Sequence, residues 1–167
     1  SQASLPSKIN CWLRFVNGKQ HITPPRMLDL DRYGCLGAAL RDAVQKWPAE
    51  LCLIESDRNK EKTRLTYSDF NDIATPVARA LEDADFKPGD RAAIIMTNQS
   101  KWLISAYSIF YCGGVLVPLD YKLTAEEHLQ LLRHSQATLL VVEYYLWRAI
   151  TQAAEFRNKK LKTVLVT

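Results

Sequence analysis

Glycine is scarce in this chain. Six glycines are spread over 167 residues, and none stands in a phosphate-cradling arrangement such as G-x-x-x-x-G-K or G-x-G-x-x-G, so the sequence offers no nucleotide loop of its own. Histidine is scarcer still, with three. Two of them, His128 and His134, fall on one predicted helix, but six residues apart they lie nearly opposite around its axis, which excludes a shared metal ion or catalytic pair. The four cysteines, Cys11, Cys35, Cys52 and Cys112, are far apart, with no C-x-x-C and no histidine at a zinc-ligand spacing. No metal site is expected. The opening "SQASLPSKIN" lacks the apolar core of a signal peptide, which favours a reducing cytoplasm and makes the Asn98-Gln99-Ser100 sequon accidental. A charge-free run from Trp102 to Leu119 approaches the roughly 20 residues that span a bilayer. Gly113-Gly114 and Pro118 interrupt it, so a buried helix, turn and strand is expected instead.

What is present suits one globular domain with a real core: 47% of residues are hydrophobic and 24% charged, a balance that excludes a disordered chain. Lys and Arg exceed Asp and Glu by 22 to 18, with a tight cluster only at Arg157-Asn-Lys-Lys-Leu-Lys162. That cluster reads as solvated surface or as a small footprint for nucleic acid or anionic membrane, although such footprints usually need a larger patch.

Residues 1–34 read as an N-terminal arm. Asn17-Gly18 sits between two strand-like runs and favours a tight type I′ turn, predicting a hairpin over 12–22; Pro24-Pro25 then suits an extended connection. From residue 35 helix and strand patterns alternate. Leu36, Leu40, Val44 and Trp47 predict a helix over 35–47 that stops at Pro48. A short strand over 51–55, a charged loop "SDRNKEKTR" and the brief strand "LTY" follow. Ser68 is the expected cap of a helix whose apolar face is Phe70, Ile73, Val77, Ala80, Leu81 and Ala84, kinked or broken at Pro76. "KPGD" predicts a type II turn and "AAIIM" a strand buried on both faces. Asn98 or Ser100 caps the next helix, which ends at Cys112 with Gly113 or Gly114 in the left-handed conformation. "VLVPL" reads as a buried strand, Thr124-Ala-Glu-Glu127 as a capping box opening a helix through about His134 with Leu129 and Leu132 inward, "ATLLVVE" as a strand, "YLWRAITQAAEF" as a helix and "KTVLV" as a last strand. Strands separated by helices of this length predict an α/β fold with a largely parallel sheet flanked by helices on both faces, preceded by the hairpin arm.

Three segments in order carry a family resemblance. "LTYSDF" (65–70), "FKPGDRAAIIMTN" (86–98) and "YCGGVLVPLDYKLTAEEH" (111–128) resemble the Leu-Thr-Tyr-x-Glu-Leu, Gly-Asp-x-Val and Gly-Ala-x-x-x-Pro-Leu motifs of the adenylate-forming superfamily of acyl-coenzyme A synthetases, peptide-synthetase adenylation domains and luciferases. Asp69 stands where the family usually has Glu, Gly114 where it usually has Ala, and Pro76 interrupts a helix usually left intact. The resemblance implies that 35–167 are the amino-terminal α/β subdomain of an AMP-forming carboxylate:thiol ligase, ending before the family's Gly-rich phosphate loop and inactive alone. The alternative is a non-catalytic ligase-like binding module.

The resemblance further implies ATP and Mg, with coenzyme A as acceptor, in the full-length protein and none bound to this chain. The implied partners are the remainder of its own chain and a small carboxylic acid, with no nucleic acid, and with peripheral membrane contact only for a long-chain acid. No catalytic, cofactor-binding or metal residue is assigned. Asp120, a carboxylate after a strand, either contacts substrate or another domain or caps a turn facing water. Thr66 and Tyr67 read as strand residues with no general base beside them, and Asn98 as an N-cap.

Overall fold

The computed structural model describes residues 32–153 and 160–167, together with the backbone of two strands nearer the N-terminus. Two compact units are formed, Ser1–Arg32 and Tyr33–Thr167. In the first, β1 (Leu13–Val16) and β2 (Lys19–Ile22) pair antiparallel with Val16 opposite Lys19, the register of a two-residue hairpin. The Asn17-Gly18 turn and the Pro24-Pro25 connection lie outside the described residues, as does the segment from Ala154 to Lys159, which holds the first half of the basic cluster.

The second unit runs α1 (Leu36–Lys46), β3 (Leu51–Asp57), β4 (Lys60–Thr66), α2 (Tyr67–Asp83), β5 (Arg91–Ile95), α3 (Ser100–Tyr111), β6 (Val115–Leu119), α4 (Ala125–Ser135), β7 (Leu139–Val142), α5 (Tyr144–Gln152) and β8 (Thr163–Val166). The strands β6, β5, β7 and β8 form a parallel sheet in that order. Alternation along β5 and β7 builds two cores. Ala92, Ile94, Leu139 and Val141 face α2 and α3, meeting Phe70, Ala74, Leu81 and Ile109. Ala93, Ile95, Leu140 and Val142 face α4 and α5, meeting Leu129, Leu132, Leu146 and Ile150. Because both faces are covered, the two central strands are apolar from Ala92 to Ile95 and from Leu139 to Val142. The run Trp102–Leu119 is helix, turn and strand, and among the described residues no helix is long and apolar enough to cross a membrane.

The turn signals hold where a positive φ is needed. Lys87-Pro88-Gly89-Asp90 is a turn closed by Asp90 N to Lys87 O at 3.0 Å, with Gly89 at φ 86°. At the end of α3, Gly113 takes φ 71°, its N–H donates to Phe110 O (3.0 Å), and Gly114 N–H donates to Ile109 O (2.9 Å). This Schellman pair satisfies two carbonyls the helix would otherwise leave open.

Several expectations are corrected. The charged segment 56–64 is not a loop: β3 and β4 form a separate antiparallel hairpin whose two-residue turn, Arg58-Asn59, takes φ 46° and 68°. Charge hid the strands because this hairpin is half solvated. Helix α2 is capped by Thr66 and not Ser68, since Asp69 completes a reciprocal capping box with Thr66. The helix continues unbroken through Pro76, which lies on its exposed side. There the missing N–H leaves its carbonyl partner to water. Its buried face is Phe70, Ala74, Ala78 and Leu81, whereas Ile73, Ala80 and Ala84 are exposed, because small residues bring α2 close to α3. In α1 the buried residues are likewise small, Gly37, Ala39 and Ala43, and Leu36 is exposed. Strand β6 is a half-exposed edge strand rather than a buried one, the position in a sheet where a proline is tolerated.

Candidate functional site

The chain leaves β5 through α3 toward β6 on one side, and leaves β7 through α5 toward β8 on the other. The carboxyl ends of β5 and β7 are therefore a topological switch point, the place where open α/β sheets form a crevice. Two short segments meet there, Thr97 to Gln99 after β5 and Glu143 after β7. Glu143 Oε1 accepts from the Thr97 N–H (2.5 Å), the Thr97 hydroxyl (2.6 Å) and the Gln99 side-chain amide (2.9 Å). The Gln99 amide also donates to Thr97 Oγ1 at 3.0 Å. One carboxylate oxygen thus gathers three donors, and charge-assisted bonds of this kind hold a loop more firmly than neutral ones.

A groove of about 490 Å³ opens beside this cluster, walled by Leu53, Ile54, Trp102 and Leu103 with Glu55 and Asn98 on its polar side. Helix α3 begins after Gln99 without a cap from its own neighbouring side chains. Glu55 supplies that cap from β3: its Oε2 accepts from Ser100 N at 2.8 Å. Hydrogen bonds from Ser100 hold the Glu55 carboxyl below its ordinary value. A carboxylate at a helix N-terminus is also favoured by the helix dipole, so the groove carries a fixed negative charge.

The residues singled out from sequence take structural places. Asp120 is exposed and caps a turn, its Oδ1 accepting from Lys122 N at 3.0 Å. His128 is buried and its Nε2 lies 2.8 Å from Asp120 O, while His134 is exposed on the other side of α4. The two histidines are opposed, as their spacing requires. Thr66 is the cap of α2, and burial pushes the Tyr67 phenol up. Asn98 is exposed and does not cap α3; Gln99 stands at that position. Glu143 and Glu55 were not legible as site residues. For Glu143 the usable signal was the one that drew notice to Asp120, a carboxylate directly after a buried strand; Glu55 gave none, because its partner lies 45 residues away.

As for a nucleotide or metal, among the described residues no group of three or more His, Cys, Asp or Glu is placed to hold a metal ion. The paired glycines at 113 and 114 close a helix and Gly89 makes a turn, so these three glycines are taken up by the fold. Neither observation picks out side chains of the described residues to hold ATP or Mg, and no chemical step is derived through either group.

Residues 40–167 match the family model described as AMP-binding enzyme. The chain belongs to this family. Among curated relatives, a (7a-methyl-1,5-dioxo-octahydro-1H-inden-4-yl)propanoyl:CoA ligase of Rhodococcus jostii is 32% identical over 63% of this chain and 19% of its own length. A 4-hydroxybutyrate–CoA ligase of Metallosphaera sedula is 35% identical over 48% of this chain and 15% of its own. A Mycobacterium tuberculosis fatty acyl CoA synthetase superposes with TM-score 0.71 at 23% identity, covering 80% of this chain and 26% of that one. At that identity the likeness establishes the α/β fold of the ligases' amino-terminal subdomain. The chain spans about one fifth of the length of the first of these relatives.

Proposed function

We propose that this chain is the amino-terminal subdomain of a larger ATP-dependent, AMP-forming carboxylate:thiol ligase. In that reaction a carboxylate oxygen bonds to the α-phosphorus of ATP, pyrophosphate leaves, and a thiol then displaces AMP from the acyl-adenylate. The match of residues 40–167 to the family model carries the reading, and the relatives named as CoA ligases support coenzyme A as the thiol. Residues 1–34 are an arm and 35–167 the subdomain; residues elsewhere in the protein supply the phosphate loop and the Mg site. Phosphoryl chemistry needs preorganised donors on the developing charge, and the contribution of this part is a rigid sheet whose carboxyl edge is fixed by Glu143 and Glu55.

The reaction belongs in the cytoplasm and in the activation of fatty or related acids, with peripheral membrane contact only where the acid is long-chain, and it requires no nucleic acid. The test uses the full-length protein with a panel of short, medium, long and aromatic acids. Pyrophosphate exchange into ATP is expected only when an acid is supplied, and a thioester once coenzyme A is added. Exchange without thioester assigns another acceptor, such as a carrier-protein thiol. No exchange with any acid, from a folded full-length protein with an intact glycine-rich loop, contradicts the reading and favours a non-catalytic module.

A further inference from the structure

The net charge of this chain is confined to one stretch. Five basic residues and one acidic residue lie between Tyr144 and Lys162; taken from the totals of 22 and 18, they leave equal numbers of each elsewhere, so the whole excess of +4 falls here. A charge placed so unevenly suits a surface for an anionic partner.

Helix α5 gives that stretch its face. Leu146 and Ile150 are spent on the core, which turns Tyr144, Tyr145, Arg148, Thr151 and Gln152 outward. Tyr144 is 60% and Tyr145 53% exposed, the highest values for large apolar side chains among the described residues. A groove of about 450 Å³ is lined by Tyr144, Tyr145, Arg148, Ala149 and Gln152. Its phenols, guanidinium and amide are donors that a phosphate can use, and the guanidinium adds charge. The helix runs back along β7 to the sheet's amino edge, where Lys162 N donates to Thr138 O at 2.8 Å and the side chains of Lys160 and Lys162 are exposed. Nearby acids are engaged elsewhere: Glu143 accepts from Thr97 and Gln99, and Asp85, which feels the charge of Lys162, is paired with Lys87 at 2.9 Å.

We propose that the outer face of α5, with the basic residues that follow it, rests on an anionic lipid surface. Tyrosine sets an apolar body and a polar tip at such an interface, and each nearby Lys or Arg adds attraction to the headgroups. Because Leu146 and Ile150 face protein, the helix does not insert, and contact is confined to the headgroup layer. A platform for single-stranded nucleic acid needs aromatics repeated along a basic groove, whereas both tyrosines stand at one end of α5. The choice of a lipid surface rests on the ligase reading, in which a long-chain acid partitions into membranes and is drawn from one.

Flotation of the full-length protein with vesicles tests this. Vesicles of phosphatidylcholine with phosphatidylserine are expected to bind it at least about tenfold more tightly than phosphatidylcholine alone, and high salt should release it. Arg148→Gln should weaken that binding about fivefold, and the pair Tyr144→Ser with Tyr145→Ser should weaken it too, each leaving pyrophosphate exchange in solution unchanged. Equal binding to both vesicles, binding to neither, or binding that all these substitutions leave intact overturns the proposal. A single-stranded oligonucleotide that displaces the vesicles assigns the face to nucleic acid and also overturns it. Acid-dependent exchange is measured on the same preparation: binding to the anionic vesicles without exchange contradicts the ligase reading and leaves the surface in place, while exchange without binding does the reverse.

Discussion

Glu143 shows how a single side chain fixes a loop at the sheet's carboxyl edge. Replacing it with Ala removes the acceptor for Thr97 N–H, the Thr97 hydroxyl and the Gln99 amide, and stability is expected to fall by about 1–2 kcal/mol in urea denaturation. Glu143→Gln keeps one acceptor oxygen without the charge and should lose less; a Glu143→Ala variant as stable as the parent would show that the carboxylate is not what holds the loop. At Gly113 the positive φ decides. A Cβ there is strained and would also lie 3.2 Å from the Pro88 ring, so Gly113→Val is expected to cost more than about 1 kcal/mol, whereas Gly113→Asn should cost less because Asn enters the left-handed region more readily. Equal melting temperatures for the two variants would sink that account. The thiols give a third contrast. Cys112 is buried, donates to Ala78 O and is pushed up to about 11 by burial, while Cys35 is exposed. Since the thiolate is the reactive form, mass spectrometry after iodoacetamide at pH 8 should find Cys35 alkylated and Cys112 intact; rapid labelling of Cys112 in the folded protein would contradict its burial.

The capping box of α2 links element stability to pH. Asp69 accepts from the Thr66 hydroxyl (2.7 Å) and Thr66 N–H (2.9 Å), and those bonds, the side-chain one first, lower its folded-state pKa. A lowered carboxyl contributes stability that is present above its unfolded value of about 3.9 and is lost as pH falls through the folded value. The stability gap between the parent and Asp69→Asn should therefore be open at neutral pH and close as the solution is acidified past the unfolded and then the folded value; a gap that is constant with pH would assign the effect to helix propensity. This box was half legible, because the pattern Thr-x-x-Asp is weaker than Thr-x-x-Glu and Ser68 offered a competing cap. Elements buried on both faces, β5 and β7, were readable from their apolar runs, as was α4 from Thr124 and Glu127. The β3–β4 hairpin was not, since its solvated strands lack apolar alternation and its turn uses Arg58-Asn59 in place of a glycine.

At the scale of the whole molecule, the order of strands and helices was legible because apolar strand runs alternate with segments of helical period, one of them, α4, opened by its own capping box, and the parallel sheet follows from that alternation. Which strand lies at an edge was not, because β6 and β8 read as apolar runs just as β5 and β7 do; only Pro118 marked one of them. The cluster around Glu143 depends on residues brought together across 46 positions, a distance over which local patterns say nothing. Glu143 and Glu55 hold the carboxyl edge of the sheet, and among the described residues no group of three or more His, Cys, Asp or Glu is placed to hold a metal ion. The proposed function implies a division of labour, in which this part is scaffold and the nucleotide site is supplied elsewhere in the protein. Titration calorimetry with Mg-ATP tests it most directly, run on these 167 residues and on the full-length protein. The account predicts binding no tighter than about millimolar for the first and at least tenfold tighter, by roughly 1.4 kcal/mol or more, for the second; micromolar binding by the 167 residues alone would contradict it.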